Sequence, residues 1–214
     1  MGGEKEADVR KLKICMLLPF PRYGENMRVN PQTGICSYLT NFGHKVTWII
    51  WSENRHQAQL FFFNDVHVYA TPQIHYFPGH SVWAKILNKI PNTLERMHSI
   101  LKILREGNYD LIFARDGHVF DGLIAVYIQK RYKIPFVFEL ANPLEQEWEC
   151  WKIESKRPKL LYYLIAKFNV LINVYIMKKA DLVLTTTRWF EEGLAKKGIA
   201  RSKLMPYPSG VDIA

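Results

Sequence analysis

The stretch that decides the fold is Tyr109–Leu140, YDLIFARDGHVFDGLIAVYIQKRYKIPFVFEL. It opens on DLIFA and closes on PFVFEL, two short apolar runs rich in β-formers. Between them HVFDGLIAVYIQKRYK has helical spacing. Phe120, Leu123, Tyr127 and Ile128 are expected to share its apolar face, and Lys130, Arg131 and Lys133 gather at the negative end of the helix dipole. Neither apolar run alternates strictly with polar residues, so both are expected to be covered on two faces. Two such strands joined by a helical crossover make a parallel pair.

The same unit repeats outward. KICMLL, KVTWIIW, VHVYAT and DLVLTT read as further strands. NTLERMHSILKILREG reads as a helix presenting Leu94, Met97, Leu101 and Leu104 and ending at Gly107. The expected fold class is therefore α/β, a Rossmann-like doubly wound, mostly parallel sheet with helices on both faces. There is no internal repeat and no low-complexity segment.

The chain has 214 residues, 48% of them hydrophobic and 14% aromatic, which supports one substantial core and excludes a disordered chain. Three cysteines, Cys15, Cys36 and Cys150, have no metal-like spacing and fit reduced thiols in a cytoplasmic protein. The start, MGGEKEADVRKLK, lacks the apolar segment of a secretory signal, and Glu6 breaks a myristoylation pattern. Residues 1–12 read as a disordered leader. The formal charge of +9 is concentrated: Lys152 to Lys203 holds 12 Lys and Arg against 4 Asp and Glu. Such a segment suits membrane headgroups, a phosphorylated substrate or nucleic acid; a solvated basic surface is the alternative.

In an open parallel sheet, ligands lie beyond the C-terminal strand ends. After the first strand, Thr33-Gly34 opens a helix running through Phe42. Gly34 would let a ligand approach the backbone, and free N–H groups there suit a phosphate. This is neither the dinucleotide fingerprint nor a phosphate-binding loop with its lysine, and a plain loop-to-helix turn is the competing reading. After the fourth strand, Arg115 suits a phosphate or carboxylate. Asp116 and His118 are candidate acids or bases, though His118 also reads as a helix-start residue without chemistry. After the fifth, Glu139 can accept from a sugar hydroxyl, with Asn142 and Glu145 nearby. Leu144, Trp148 and Trp151 read as packing, and Glu145, Glu147 and Glu149 show no metal spacing.

Leu160 to Met177 is the most apolar stretch, broken by Lys167, Asn169 and Asn173. Those groups would be costly at mid-depth in a bilayer, so a domain helix partly exposed to lipid or to another protein is expected. Tyr162 and Tyr163, beside Lys156, Arg157 and Lys159, suit headgroup contact, against simple burial.

The ordered set KICMLLPFP, TGICSYLTNFGHKVTWI, YDLIFARD, IPFVFEL and ADLVLTTTRWFEEGLAKKGIARSKLMPYPSGVD resembles the N-terminal, acceptor-side half of family 4 glycosyltransferases, almost throughout the chain after the leader. The resemblance implies a retaining, nucleotide-sugar-dependent enzyme of the GT-B fold. It implies an acceptor-side domain over 13–208 and, at 209–214, the start of an interdomain hinge, with the C-terminal donor domain and its paired glutamates absent. It places Gly34 near the donor diphosphate, and Arg28, Arg115, Asp116, His118, Glu139 and Asn142 on the acceptor side, with no residue assigned as catalytic and no metal required. The domain itself would hold no cofactor; the full enzyme would use a nucleotide-diphosphate sugar donor, and the domain alone is expected to be inactive. Partners implied are a sugar or lipid-linked acceptor and a membrane surface, for a cytoplasmic protein peripheral at the membrane. Nucleic acid is not expected, since no binding module is present. Departures are a single glycine at Gly34, Arg115 where many members have histidine, Ala141-Asn142 for a His-Asp pair, and Ser209 for the hinge asparagine. A competing reading is a non-catalytic module that anchors or completes a partner protein at a membrane.

Overall fold

The computed structural model describes residues 10–18, 31–52, 59–63, 65–72, 82–142 and 160–207. The expectations for residues 1–9, Arg28, Leu144 to Trp151, Lys156, Arg157, Lys159 and 209–214 lie outside them. The strands are β1 (Lys13–Leu17), β2 (Lys45–Trp51), β3 (Gln59–Phe63), β4 (Val66–Thr71), β5 (Leu111–Arg115), β6 (Phe136–Leu140), β7 (Leu182–Thr185) and β8 (Leu204–Pro206). The helices are α1 (Pro31–Asn41), α2 (Val82–Gly107), α3 (Val119–Tyr132), α4 (Leu160–Lys179) and α5 (Arg188–Lys196), with a 3-10 turn at Arg201–Lys203.

The strands form one eight-stranded sheet in the order β3-β4-β2-β1-β5-β6-β7-β8. Every neighbouring pair is parallel except β3 with β4. This is the doubly wound α/β architecture read from the sequence. Two-sided burial explains the lack of alternation within the strands. Ile14, Met16 and Leu18 face a cluster with Cys36 of α1, Trp48 and Val68, while Cys15 and Leu17 face another with Ile100 of α2, Ile128 of α3 and Ile176 of α4. Burial pushes the Cys15 and Cys36 thiols up to about 12, and Cys36 Sγ accepts from Trp48 Nε1 at 2.8 Å.

Four local expectations are corrected. The antiparallel edge strand β3 was not read from QLFFF; Asp65, at φ 62°, sits in the connection to β4, and the Asn64-Asp65 pair was its sequence signal. Helix α1 starts at Pro31, so Thr33-Gly34 falls inside its first turn; proline suits the first helical position, where no N–H is needed. Helix α2 extends to Val82 and buries the row Asn88, Asn92, Arg96, Ile100 and Leu104, leaving Leu94 62% exposed. Beside Pro91, the Asn92 side chain donates to the Asn88 carbonyl at 2.7 Å. In α3 the buried residues are Asp121, Gly122, Ile124, Ala125 and Ile128, while Tyr127 points outward. Close approach of α4 sets that rotation: a Cβ on Gly122 would lie 2.6 Å from Ile176 Cδ1.

Candidate functional site

The strand order reverses between β1 and β5. The chain leaving β1 enters α1 on one face of the sheet, and the chain leaving β5 enters α3 on the other. Diverging connections open a crevice at the C-terminal strand ends. Register sets what lines it: Leu17 pairs with Ala114, Arg115 with Glu139, and Leu140 with Thr185.

Arg115 and Glu139 therefore end adjacent strands side by side. Arg115 Nε lies 3.8 Å from Glu139 Oε2 and 3.7 Å from Asp116 Oδ1. These are ion-pair distances beyond good hydrogen-bond length. The side chains are largely shielded, at 14% exposure for Arg115, 11% for Asp116 and 4% for Glu139. Asp116 also organises the loop after β6: its Oδ2 accepts from Ala141 N and Asn142 N, each at 3.1 Å. Gly117, at φ 101°, provides the left-handed turn that carries the chain from there into α3.

Two further residues belong to this edge: Thr185, at the end of the DLVLTT run that the sequence offers as a strand, and Tyr207, which was missed. Thr185 is buried at the end of β7, and its hydroxyl donates to the Thr187 carbonyl at 3.3 Å. Tyr207 N donates to Thr185 O at 2.6 Å. Burial raises the Tyr207 phenol pKa, and the negative charge of Glu139 adds to the shift. The signal for Tyr207 was available in PYP, read only for its prolines.

His118 takes no part in that group. It occupies the N-cap position of α3 without a side-chain cap. Its ring lies 5.4 Å from Trp51 and 5.6 Å from Phe120. Buried Nδ1 is 3.5 Å from Asp121 Oδ1 and makes no hydrogen bond. There it borders a second charged centre that sequence reasoning also missed. Arg96, fully buried, donates from Nε to Asp121 Oδ1 at 2.6 Å and from Nη2 to Asp121 Oδ2 at 2.8 Å. Nη1 donates to Thr71 Oγ1 at 2.9 Å, and Nη2 reaches the carbonyls of Leu18 and Ile49, each at 3.1 Å. The guanidinium lies 4.6 Å over the Trp51 ring. Burial alone would raise the Asp121 pKa, but the Arg96 charge and hydrogen bonds bring it below the ordinary carboxylate value.

The structure thus brings Arg115, Asp116, Glu139 and the Asn142 backbone together and turns His118 to the opposite face of the sheet. Gly34 lies in the first turn of α1, a segment without a carboxylate. Among the described residues no group of His, Cys, Asp and Glu could hold a metal ion.

This half-cleft on a doubly wound sheet is the architecture of one half of a GT-B glycosyltransferase. The family model of Glycosyltransferase Family 4 matches residues 33–214, and the chain belongs to that family. Anabaena HepE, solved with UDP-glucose, is similar at a TM-score of 0.58 and 14% identity, over 94% of this chain and 45% of that one. A sucrose-phosphate synthase fragment from Thermosynechococcus elongatus matches at 0.59 and 10% identity, over 94% and 90%. Phytolacca americana UGT2 matches at 0.55 and 11%, over 94% and 52%. The chain spans about half the length of HepE and UGT2. No curated protein matches it in sequence.

Proposed function

We propose that this chain forms the acceptor-side wall of a cleft in which a nucleotide-sugar-dependent glycosyltransferase transfers a sugar with retention of configuration. The observation that carries the reading is the placement of Arg115 and Glu139 on adjacent strand ends at the crevice. Glu139 accepts a hydrogen bond from an acceptor hydroxyl, Arg115 orients the carboxylate, and the Asn142 loop, fixed by Asp116, borders the acceptor. The first turn of α1, around Gly34, offers N–H groups toward the departing diphosphate. In this reading the donor is bound mainly by a second half of the cleft. HepE was solved with UDP-glucose, and a nucleoside-diphosphate sugar is accordingly the donor class proposed here.

The transferase that contains this domain tests the reading. Release of nucleoside diphosphate is followed with a panel of nucleotide sugars, and the anomeric configuration of the product by NMR. Retention, with turnover strongly reduced by Glu139→Gln, is expected. Inversion, or undiminished turnover in Glu139→Gln, would overturn it.

A further inference from the structure

Helix α4 buries Ile176 and Met177 and turns a row of apolar side chains outward. Leu164, Phe168, Leu171 and Tyr175 are 53%, 62%, 67% and 48% exposed. Their spacing of four, three and four puts them on one stripe along the helix. From Leu164 to Tyr175 that stripe runs about 17 Å along a 20-residue helix. No helix of the described residues is long and apolar enough to cross a membrane.

Cations border the stripe. Lys167, Lys178 and Lys179 are exposed on α4. Lys167 Nζ stands 5.3 Å from the Tyr163 ring and Lys179 Nζ 5.9 Å from the Tyr175 ring, pairing each amine with an amphipathic aromatic. At the foot of the helix, a groove of about 500 Å³ lies between the C-terminal ends of α3 and α4, and Lys130 and Lys133 join Lys179 and Tyr175 in lining it. Asp181 also lines the groove, but its Oδ2 already accepts from Gln129 Nε2 and Phe136 N, each at 2.8 Å.

We propose that this face docks on an anionic phospholipid surface. Leu164, Phe168, Leu171 and Tyr175 enter the headgroup–acyl boundary, and a lipid phosphate occupies the lysine-lined groove. An apolar row between cationic margins matches a layer that is apolar beneath and negative above. A second copy of the chain seated on the same face would set lysine margin against lysine margin. Because α4 leads into β7, its first turns lie at the crevice end of the sheet and its last turns at the opposite edge. A membrane along α4 therefore reaches the crevice rim, where a lipid-linked acceptor can enter; that last clause alone rests on the transferase reading.

The test is co-sedimentation with phosphatidylglycerol-containing vesicles and with pure phosphatidylcholine vesicles at about 0.1 M salt. Anionic vesicles are expected to bind the chain at least about tenfold better. Phe168→Ser with Leu171→Ser should lower that binding about tenfold or more, and Lys130→Glu with Lys179→Glu should remove its salt sensitivity. Both pairs are on the surface, and unchanged thermal melting establishes that they fold. Negligible binding to both vesicles, or binding that the Phe168→Ser/Leu171→Ser chain retains, overturns the proposal. So does a lipid-free dimer in sedimentation velocity that this variant dissociates, because the stripe would then be a protein interface. The readout involves no sugar transfer, so a failure of the transferase reading leaves it intact.

Discussion

Two arginine–carboxylate pairs stand at the C-terminal edge of the same sheet, on opposite faces, and they are built to different standards. Arg96 and Asp121 are completely desolvated, meet through two hydrogen bonds of 2.6 and 2.8 Å, and spend the remaining guanidinium donors on Thr71, Leu18 and Ile49. Arg115 and Glu139 meet at 3.8 Å with the arginine still partly exposed. A saturated pair has no geometry left for a ligand, and its removal strands a buried charge. A longer pair on the crevice edge, with its arginine partly exposed, lies within reach of an incoming hydroxyl or phosphate. Distance and exposure, more than residue type, separate a staple of the fold from a ligand-facing group.

The sharpest way to break this comparison is to cut the buried pair. Arg96→Met leaves Asp121 ionised without its partner and is expected to cost about 3–5 kcal/mol in urea unfolding, whereas joint replacement by Arg96→Met and Asp121→Leu should recover much of it. A loss below about 1 kcal/mol in the single variant would show that the centre is not a staple. Arg115→Met, by contrast, should cost less, about 1–3 kcal/mol, because its ion pair with the shielded Glu139 is longer and the arginine partly exposed. In the transferase containing the domain it should lower turnover about a hundredfold, roughly 2.7 kcal/mol of barrier. A stability loss as large as that of Arg96→Met would erase the distinction.

Acidity separates the pairs next. The folded Asp121 pKa lies below its unfolded value. Its contribution is therefore fully present above the unfolded carboxylate value, about 3.9, and is lost as the pH falls through the folded value. Urea unfolding at a series of pH values should show a stability gap between the natural chain and Asp121→Asn that is flat above about pH 5 and narrows below about pH 4. A gap that widens toward acid would reverse the assigned direction.

The division between the pairs also marks what the sequence could disclose. Strand ends are legible, because doubly buried runs announce themselves and their next residues must face the crevice; Arg115, Asp116 and Glu139 follow from that alone. Arg96 is not legible the same way. It lies in a helix where Leu94, Met97 and Leu101 define a plausible apolar face, and only tertiary packing selects the row through Asn88, Asn92 and Arg96. Helix α3 misled for a related reason: it is apolar on nearly every side, so its rotation is fixed by the Gly122–Ile176 contact and leaves no periodic trace. Tyr207 joins the crevice edge, its N–H on the Thr185 carbonyl, only because β8 adds beside β7, a pairing that no local pattern encodes.

Asp116 gives the comparison its finest test, because it sits in the crevice and yet behaves like part of the staple. Its Oδ2 holds the N–H groups of Ala141 and Asn142, while its Oδ1 stands 3.7 Å from Arg115. In Asp116→Asn an amide oxygen can still accept both backbone bonds, and only the charge toward Arg115 is lost. The expected stability cost is below about 1 kcal/mol, since no buried donor loses its acceptor. In the transferase containing the domain, KM for the acceptor should rise a few-fold with kcat nearly unchanged, the pattern of a charge that steadies Arg115 without touching the reacting atoms. A fall in kcat with KM unchanged would instead give the Asp116 charge a part in the transfer step, and Asp116 would then belong with Arg115 and Glu139.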